Sequence, residues 1–193
     1  MKYAFISGTP TAGKSFLAKK IADKIGAIHV EIDLLREVMA KDPKLKPWVN
    51  WYTDQDEEEY LKKTNNNDGW IHLKNQSEAY WPTIEKKVAE IKKTGKKAVF
   101  EGYNLLPHLV SKYFDFGGIY LAAPKPAEIL RRIKMKKRWG DEDKLHQMEV
   151  KFFVECFDCN FRKDAQKYGY KYFTNPIEAE QAILKNEMFV NHQ

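Results

Sequence analysis

Gly8-Thr9-Pro10-Thr11-Ala12-Gly13-Lys14-Ser15 lies between a short apolar run, Tyr3-Ala4-Phe5-Ile6, and a helical pattern carrying Phe16, Leu17, Ile21 and Ile25. The spacing G-x-x-x-x-G-K-S, with a strand before it and a helix after it, reads as a phosphate-binding loop. In such a loop, backbone N–H groups wrap a polyphosphate, and the N-terminus of the next helix turns its positive end toward the same anion. Lys14 then reaches the outer phosphates as a point charge, and the Ser15 hydroxyl holds Mg²⁺. Gly8 and Gly13 are needed because a Cβ would block positive φ or close approach to phosphate. Nucleotide contacts are therefore expected from Gly8, Thr9, Pro10, Thr11, Ala12, Gly13, Lys14, Ser15 and Phe16. Without their flanks the same letters would be a glycine turn with a stray lysine.

Downstream, Gly26 ends the helix pattern, and Ala27 to Ile32 reads as a second strand. Asp33-Leu34-Leu35-Arg36 follows at its carboxyl end, where ligands bind in an open parallel sheet. A short helix through Met39 stops at Lys41-Asp42-Pro43. Residues 42–69 are the least regular part of the chain and read as an insertion on the substrate side. Trp48, Trp51 and Tyr52 would be a liability if left loose there, so they are expected to pack or to contact substrate. A helical pattern from Ile71 to Lys93 leads to a third strand, Lys96 to Phe100, ending at Glu101-Gly102. A short helix follows from Pro107 to Tyr113, and then a fourth strand from Gly118 to Ala122. A basic helix, expected to form part of a lid over about 127–144, is broken at Trp139-Gly140-Asp141. After it come a long helix carrying Leu145, Phe153 and Phe157, a last strand from Tyr170 to Phe173, and a helical tail from Ile177 to Phe189. Strands alternating with helices imply one three-layer α/β domain over 1–193 with a parallel sheet. Right-handed crossovers leave few other topologies.

Bulk properties narrow the function. The 193 residues suffice for one substantial core, and no apolar run approaches the roughly 20 residues that a bilayer demands, so no membrane role is expected. The first apolar run is too short for a signal peptide. With only two cysteines no disulfide framework is implied, which suits a cytoplasmic protein. A net charge of +6 is compatible with nucleotides, phosphorylated substrates or nucleic acid and does not choose among them.

Phosphoryl transfer asks a protein for positioning and charge neutralisation. Asp33, at a strand tip beside the loop, is placed to take a proton from a substrate hydroxyl, although Asp also favours capping the next helix. Arg36, one turn on, could clamp an anionic substrate or lie on the surface. Glu101, followed by the permissive Gly102, is the candidate acid for Mg²⁺ and lines the substrate side with it. Arg131, Arg132 and Arg138 could neutralise charge on the transferred group, or form a solvated face above the stripe of Ile129, Leu130 and Ile133. Cys156 and Cys159 fall inside a helix with no second pair, so core packing is expected over zinc or redox chemistry. The five histidines are scattered and suggest no metal cluster. Trp70 and Trp81, like the insertion aromatics, read equally well as pocket or core.

On Gly8 to Ser15, Asp33-Leu34-Leu35-Arg36 and Phe100-Glu101-Gly102-Tyr103-Asn104-Leu105-Leu106-Pro107, the chain resembles the small-molecule P-loop kinases over nearly its whole length. Within them it is similar to the branch of zeta-toxin-type and 2-phosphoglycerate kinases, with shikimate, chloramphenicol and nucleoside monophosphate kinases further off. The resemblance implies a five-stranded parallel sheet in the order 2-3-1-4-5 with helices on both faces, ATP with Mg²⁺, and an arginine-bearing lid after the fourth strand. It carries Lys14 and Ser15 over as ATP and Mg²⁺ contacts, Asp33 as catalytic base, and Arg132 and Arg138 loosely as lid arginines. Nucleoside monophosphate kinases place Asp-Gly-Phe-Pro-Arg after the third strand. Here Glu101-Gly102-Tyr103-Asn104 lacks the arginine, which argues against a nucleotide acceptor. The insertion matches nothing in the family.

The leading expectation is an ATP-dependent kinase of a small hydroxyl-bearing molecule, acting as a monomer or homodimer. A nucleoside or nucleotide kinase and a regulatory NTPase stay open. The latter would lack the N-K-x-D signature of guanine-specific proteins. A nucleic-acid partner, suggested only by the basic run from Arg131 to Arg138, is not expected.

Overall fold

The computed structural model describes residues 2–135 and 143–186. Strand β1 (Tyr3–Gly8) is the central strand and is buried on both faces, as its unbroken apolar run requires. Alternation along it feeds two cores. Phe5 points into one cluster with Val30, Phe100 and Tyr120, while Ala4 and Ile6 point into another with Leu17, Ile21 and Ile183.

Helix α1 (Lys14–Ile25) runs on from the loop and closes at Gly26, whose left-handed backbone sends its N–H to the Ala22 carbonyl. Strand β2 (Ile28–Glu31) passes straight into a 3-10 turn, Ile32–Leu35, and a short helix α2 (Arg36–Met39). Strands β3 (Ala98–Glu101), β4 (Gly118–Leu121) and β5 (Tyr172–Phe173) complete a sheet in the order β2-β3-β1-β4-β5, and every neighbouring pair is parallel. This is the P-loop kinase α/β fold that the sequence implies. The register sets Glu31 beside Glu101 and Ile6 beside Glu101, so the functional strand tips meet along one edge.

Several expectations are corrected. The stretch 42–69 is largely helical rather than irregular. It holds α3 (Lys46–Val49) and α4 (Glu57–Lys63), the latter capped by Asp56 accepting from the Glu59 N–H at 2.8 Å. Helix α5 begins at Asn66, not Ile71, because the Asn65 side chain accepts from the N–H groups of Asn67 and Asp68. It runs to Lys93 and accommodates Pro82. Helix α6 spans Pro107–Tyr113 as expected, and the basic helix α7 spans Pro126–Met135. The long helix after it is three pieces: α8 (Asp143–Phe152), a π-helical turn Phe153–Asp158, and α9 (Cys159–Lys167). Helix α10 (Pro176–Leu184) follows the last strand, and the tail beyond 186 lies outside the described residues.

Phe16 belongs to no core. It is 78 % exposed. Cys156 is buried, with its Sγ 3.1 Å from the Asn66 carbonyl oxygen, and burial pushes its thiol up to about 12. Cys159 faces solvent instead of packing inside. Trp70 packs on Phe161 and Trp81 on Phe114, so both serve the core. Among the described residues no helix is long and apolar enough to cross a membrane.

Candidate active site

The loop between β1 and α1 is shaped by backbone that most residues avoid. Gly8 has φ 124°, and a Cβ there would lie 2.1 Å from the Leu121 carbonyl oxygen, so only glycine lets β1 and β4 approach this closely. Thr11, with φ 66°, takes up the left-handed region despite its branched side chain, and Gly13 with φ 90° precedes the helix. Strain of this kind gathers where a loop must hold one shape for a ligand. Lys14, only 8 % exposed, folds back across the loop and its Nζ donates to the Thr9 carbonyl at 2.9 Å.

Two side chains from distant elements brace this loop. Asp158, in the π-helical turn, accepts from the Thr9 hydroxyl at 3.1 Å, the Ala123 N–H at 2.5 Å and the Tyr172 hydroxyl at 2.5 Å. Arg132, on α7, donates from Nη1 to the Thr11 carbonyl at 2.5 Å, while its Nε is held by Glu128 at 2.6 Å. Arg131 makes a two-pronged pair with Glu128 and lines the loop's cavity beside Arg132. Arg138 lies outside the described residues.

On the other flank the Ser15 hydroxyl donates to Glu101 Oε1 at 2.8 Å. Glu101 is 2 % exposed. Burial pushes its carboxyl above the ordinary glutamate range, Asp33 and Glu31 push the same way, and Lys14 and the Ser15 hydrogen bond pull it back. His29 and Glu31 join Glu101, one ligand atom from each lying within 4.8 Å of the others. His29 Nε2 stands 3.9 Å from Glu101 Oε1. This grouping corrects the expectation that no histidine belongs to a metal-ligating cluster. Alternation along β2 and pairing across β3 create it, and neither is visible in residue order.

Asp33 does not cap a helix. It sits inside the 3-10 turn, and its Oδ1 is buried without a hydrogen-bond partner among the described residues. Gly102 brings the β3 tip against it: a Cβ there would stand 2.9 Å from Ile32 Cβ and 3.4 Å from Asp33 Oδ1. Arg36 is anchored by a hydrogen bond to the Tyr103 hydroxyl and lies over the rings of Tyr103, 5.3 Å from its centroid, and Tyr80, at 6.0 Å. Burial disfavours its charge, but the Tyr103, Tyr80 and Asp33 oxygens outweigh that, and the guanidinium lies above its ordinary range.

Two cavities meet at Asp33. One, of about 370 Å³, is walled by Gly13, Lys14, Ser15, Glu101 and Arg132, with Phe16 and Met135 at its apolar rim. The other, of about 210 Å³, is walled by Arg36, Tyr52, Glu149, Phe152, Phe153 and Phe157. Pro10, Asp33 and Tyr103 line both. Of the insertion aromatics, Tyr52 faces the second cavity. Trp51, partly exposed, stacks on His72 at 4.1 Å, and Trp48 packs beside them. Sequence reasoning missed Tyr103, Glu149, Asp158 and the phenylalanines of α8 and the π-helical turn. Tyr103 stood in the quoted stretch after the third strand without a role, and the only early signal for the others was their place in a helix expected to be core.

Neither a protein-family model nor a curated protein sequence matches the chain. Solved structures do match. The shikimate kinase of Acinetobacter baumannii in complex with shikimate is 11 % identical, covers 97 % of this chain and 93 % of its own, and has a TM-score of 0.52. The shikimate kinase of Bacteroides thetaiotaomicron is 15 % identical, covers 96 % and 97 %, and also has a TM-score of 0.52. A gluconokinase from Sinorhizobium meliloti is 14 % identical, covers 95 % and 89 %, and has a TM-score of 0.50. At these identities the likeness is one of fold.

Proposed function

We propose that this protein is an ATP- and Mg²⁺-dependent kinase that transfers the γ-phosphoryl group to a hydroxyl of a small molecule. One observation carries the reading: Asp33 is the carboxylate on the partition between a cavity built by the phosphate-binding loop and a second, separate cavity. A base there can receive a proton from an alcohol in one chamber while that oxygen faces a phosphate in the other. The kinase fold shared with shikimate and gluconate kinases supports the same class. The nearer likeness to zeta-toxin-type and 2-phosphoglycerate kinases rests on the sequence motifs at Gly8–Ser15, Asp33–Arg36 and Phe100–Pro107.

In this reading the loop from Gly8 to Phe16 cradles the triphosphate and Lys14 leaves the Thr9 carbonyl for its outer oxygens. Ser15 and Glu101 would hold Mg²⁺. Their oxygens are 2.8 Å apart and hard, the donor type that this ion takes. When bound, the ion neutralises charge on the bridging phosphates. Arg132 steadies the loop through Thr11 and stands beside the transferred group. Arg36 and Gly102 shape the acceptor side. Among nucleotide acceptors a monophosphate fits poorly, since the buried Leu105 takes the place after β3 that the arginine of Asp-Gly-Phe-Pro-Arg would hold.

Asp33→Asn tests the assignment. The variant should still show an ATP-dependent thermal shift while acceptor-dependent ADP release falls by about 10²–10⁴. Normal transfer by Asp33→Asn would end the assignment of Asp33 as base.

A further inference from the structure

Resting on the kinase reading above, we propose that the acceptor is an alcohol with an apolar ring body, rather than a polyol or a small hydroxy acid. The second cavity supplies the argument. Its far wall is aromatic, made of Tyr52, Phe152, Phe153 and Phe157, with Tyr60 outside the lining joining Tyr52 to Phe152. Tyr52 meets Tyr60 edge-on at 5.6 Å, Tyr60 meets Phe152 at 5.9 Å, Phe152 meets Phe157 at 5.0 Å, and Phe157 stacks with Phe153 at 6.0 Å. Val49 and Leu61 extend the same wall. Such a surface takes up a ring by burial and edge-to-face contact.

Its polar lining is Asp33, Arg36 and Tyr103 about the partition, together with Tyr52, Thr53 and Glu149. Asp33 and Tyr103 line both chambers, and Arg36 is fastened to the Tyr103 hydroxyl and sandwiched against tyrosine rings. One acceptor hydroxyl therefore finds a base. Further hydroxyls of a polyol would be carried against the phenylalanines and lose their water without replacement, which costs affinity. A carboxylate carried against the same wall would lose its water in the same way.

The wall comes from α4, α8 and the π-helical turn, and the partition from the β2 tip and the residues after β3. Specificity can thus be altered without touching the phosphate-binding loop.

Ligand-observed NMR with the full chain, without nucleotide, tests this directly, using benzyl alcohol and cyclohexanemethanol against xylitol and glycerate. The ring alcohols should bind about tenfold or more tightly than either polar probe, the scale of discrimination that an apolar pocket gives. In coupled ADP release the same order should hold for kcat/KM. Phe153→Ala should raise KM for the ring alcohols about tenfold with KM for ATP unchanged. Should Phe153→Ala fail to fold, Leu61→Gln, which keeps the volume of a half-buried wall residue, should narrow the preference for ring alcohols over xylitol. Equal or reversed binding, no binding of the ring alcohols, or a Leu61→Gln variant with unaltered preference overturns the proposal while leaving the kinase reading intact. Loss of that reading would instead show as no thermal shift with ATP and Mg²⁺.

Discussion

Removing the Asp158 carboxylate tests whether the π-helical turn holds the phosphate-binding loop in place. Asp158 Oδ1 gathers three donors: the Thr9 hydroxyl, the Ala123 N–H and the Tyr172 hydroxyl. They tie β1, the end of β4 and β5 to a helix more than thirty residues away from the nearest of them except Tyr172. The Asp158→Ala variant strands these donors where water reaches poorly, and a buried donor without an acceptor costs about 1–3 kcal/mol. Tyr172 can fall back on the Asp158 backbone carbonyl, 3.3 Å away, so the two others dominate. We expect a loss of roughly 3–5 kcal/mol. For a chain of this size each kcal/mol lowers Tm by about 2–4 °C, so the midpoint should fall by roughly 10 °C. Asp158→Asn keeps an acceptor oxygen in place and should lose less than half as much. Since the Thr9 carbonyl also holds Lys14, KM for ATP should rise in the alanine variant ahead of any loss in kcat. Thermal unfolding by circular dichroism with ATP titration reads both quantities. An alanine variant melting within about 2 °C of the parent, less than one unsatisfied donor would cost, would refute the reasoning.

Other outcomes follow from the charges of the site. Glu101 has its folded pKa raised by burial, so the protein holds that proton more readily than the unfolded chain, and the group's contribution to stability is lost as pH rises through the raised value. Glu101→Gln should therefore melt higher than the parent at neutral pH, match it near pH 4 and lose the added stabilisation by Mg²⁺ with ATP, as a pH series of melting curves will show. His72, stacked on Trp51 with Trp48 beside it, is held by burial at about 4 against an ordinary 6.5. Its folded pKa is depressed, so stability present above pH 6.5 drains away as pH falls toward 4. The full shift corresponds to roughly 3 kcal/mol, and solvent access to the half-buried ring reduces it to about 1 kcal/mol. In His72→Phe, which keeps the stack, that acid-side slope in urea unfolding should disappear. Arg132→Ala removes the Thr11 tether and should lower kcat by about 10²-fold, as loss of one well-placed cationic donor does, with unfolding little changed.

The glycine-cornered loop, its flanking strand and helix, the five strands and Asp33 at a strand tip were legible in residue order, because each rests on local spacing, while the order of the strands came from the resemblance to P-loop kinases. Glycines at positions 8 and 13 and the serine after the lysine fix a backbone shape within a few residues, and that shape needs little from the rest of the chain. The caps at Asn65 and Asp56 were equally local, yet the acidic and asparagine-rich runs around them read as loop. What the tertiary structure alone decided is what faces Asp33. The wall of the second cavity joins Tyr52, Tyr103 and Phe153, and the loop's brace joins Thr9 to Asp158 across 149 positions. Helix periodicity could mark Phe153 and Phe157 only as apolar. The π-helical turn rotates the helix beyond it relative to any regular pattern, and such turns frequently mark functional sites. Spacing fixes local backbone and so foretold the phosphate side. The chemistry of the acceptor side depends on side chains that meet only when distant helices pack, and no short-range regularity encodes that meeting.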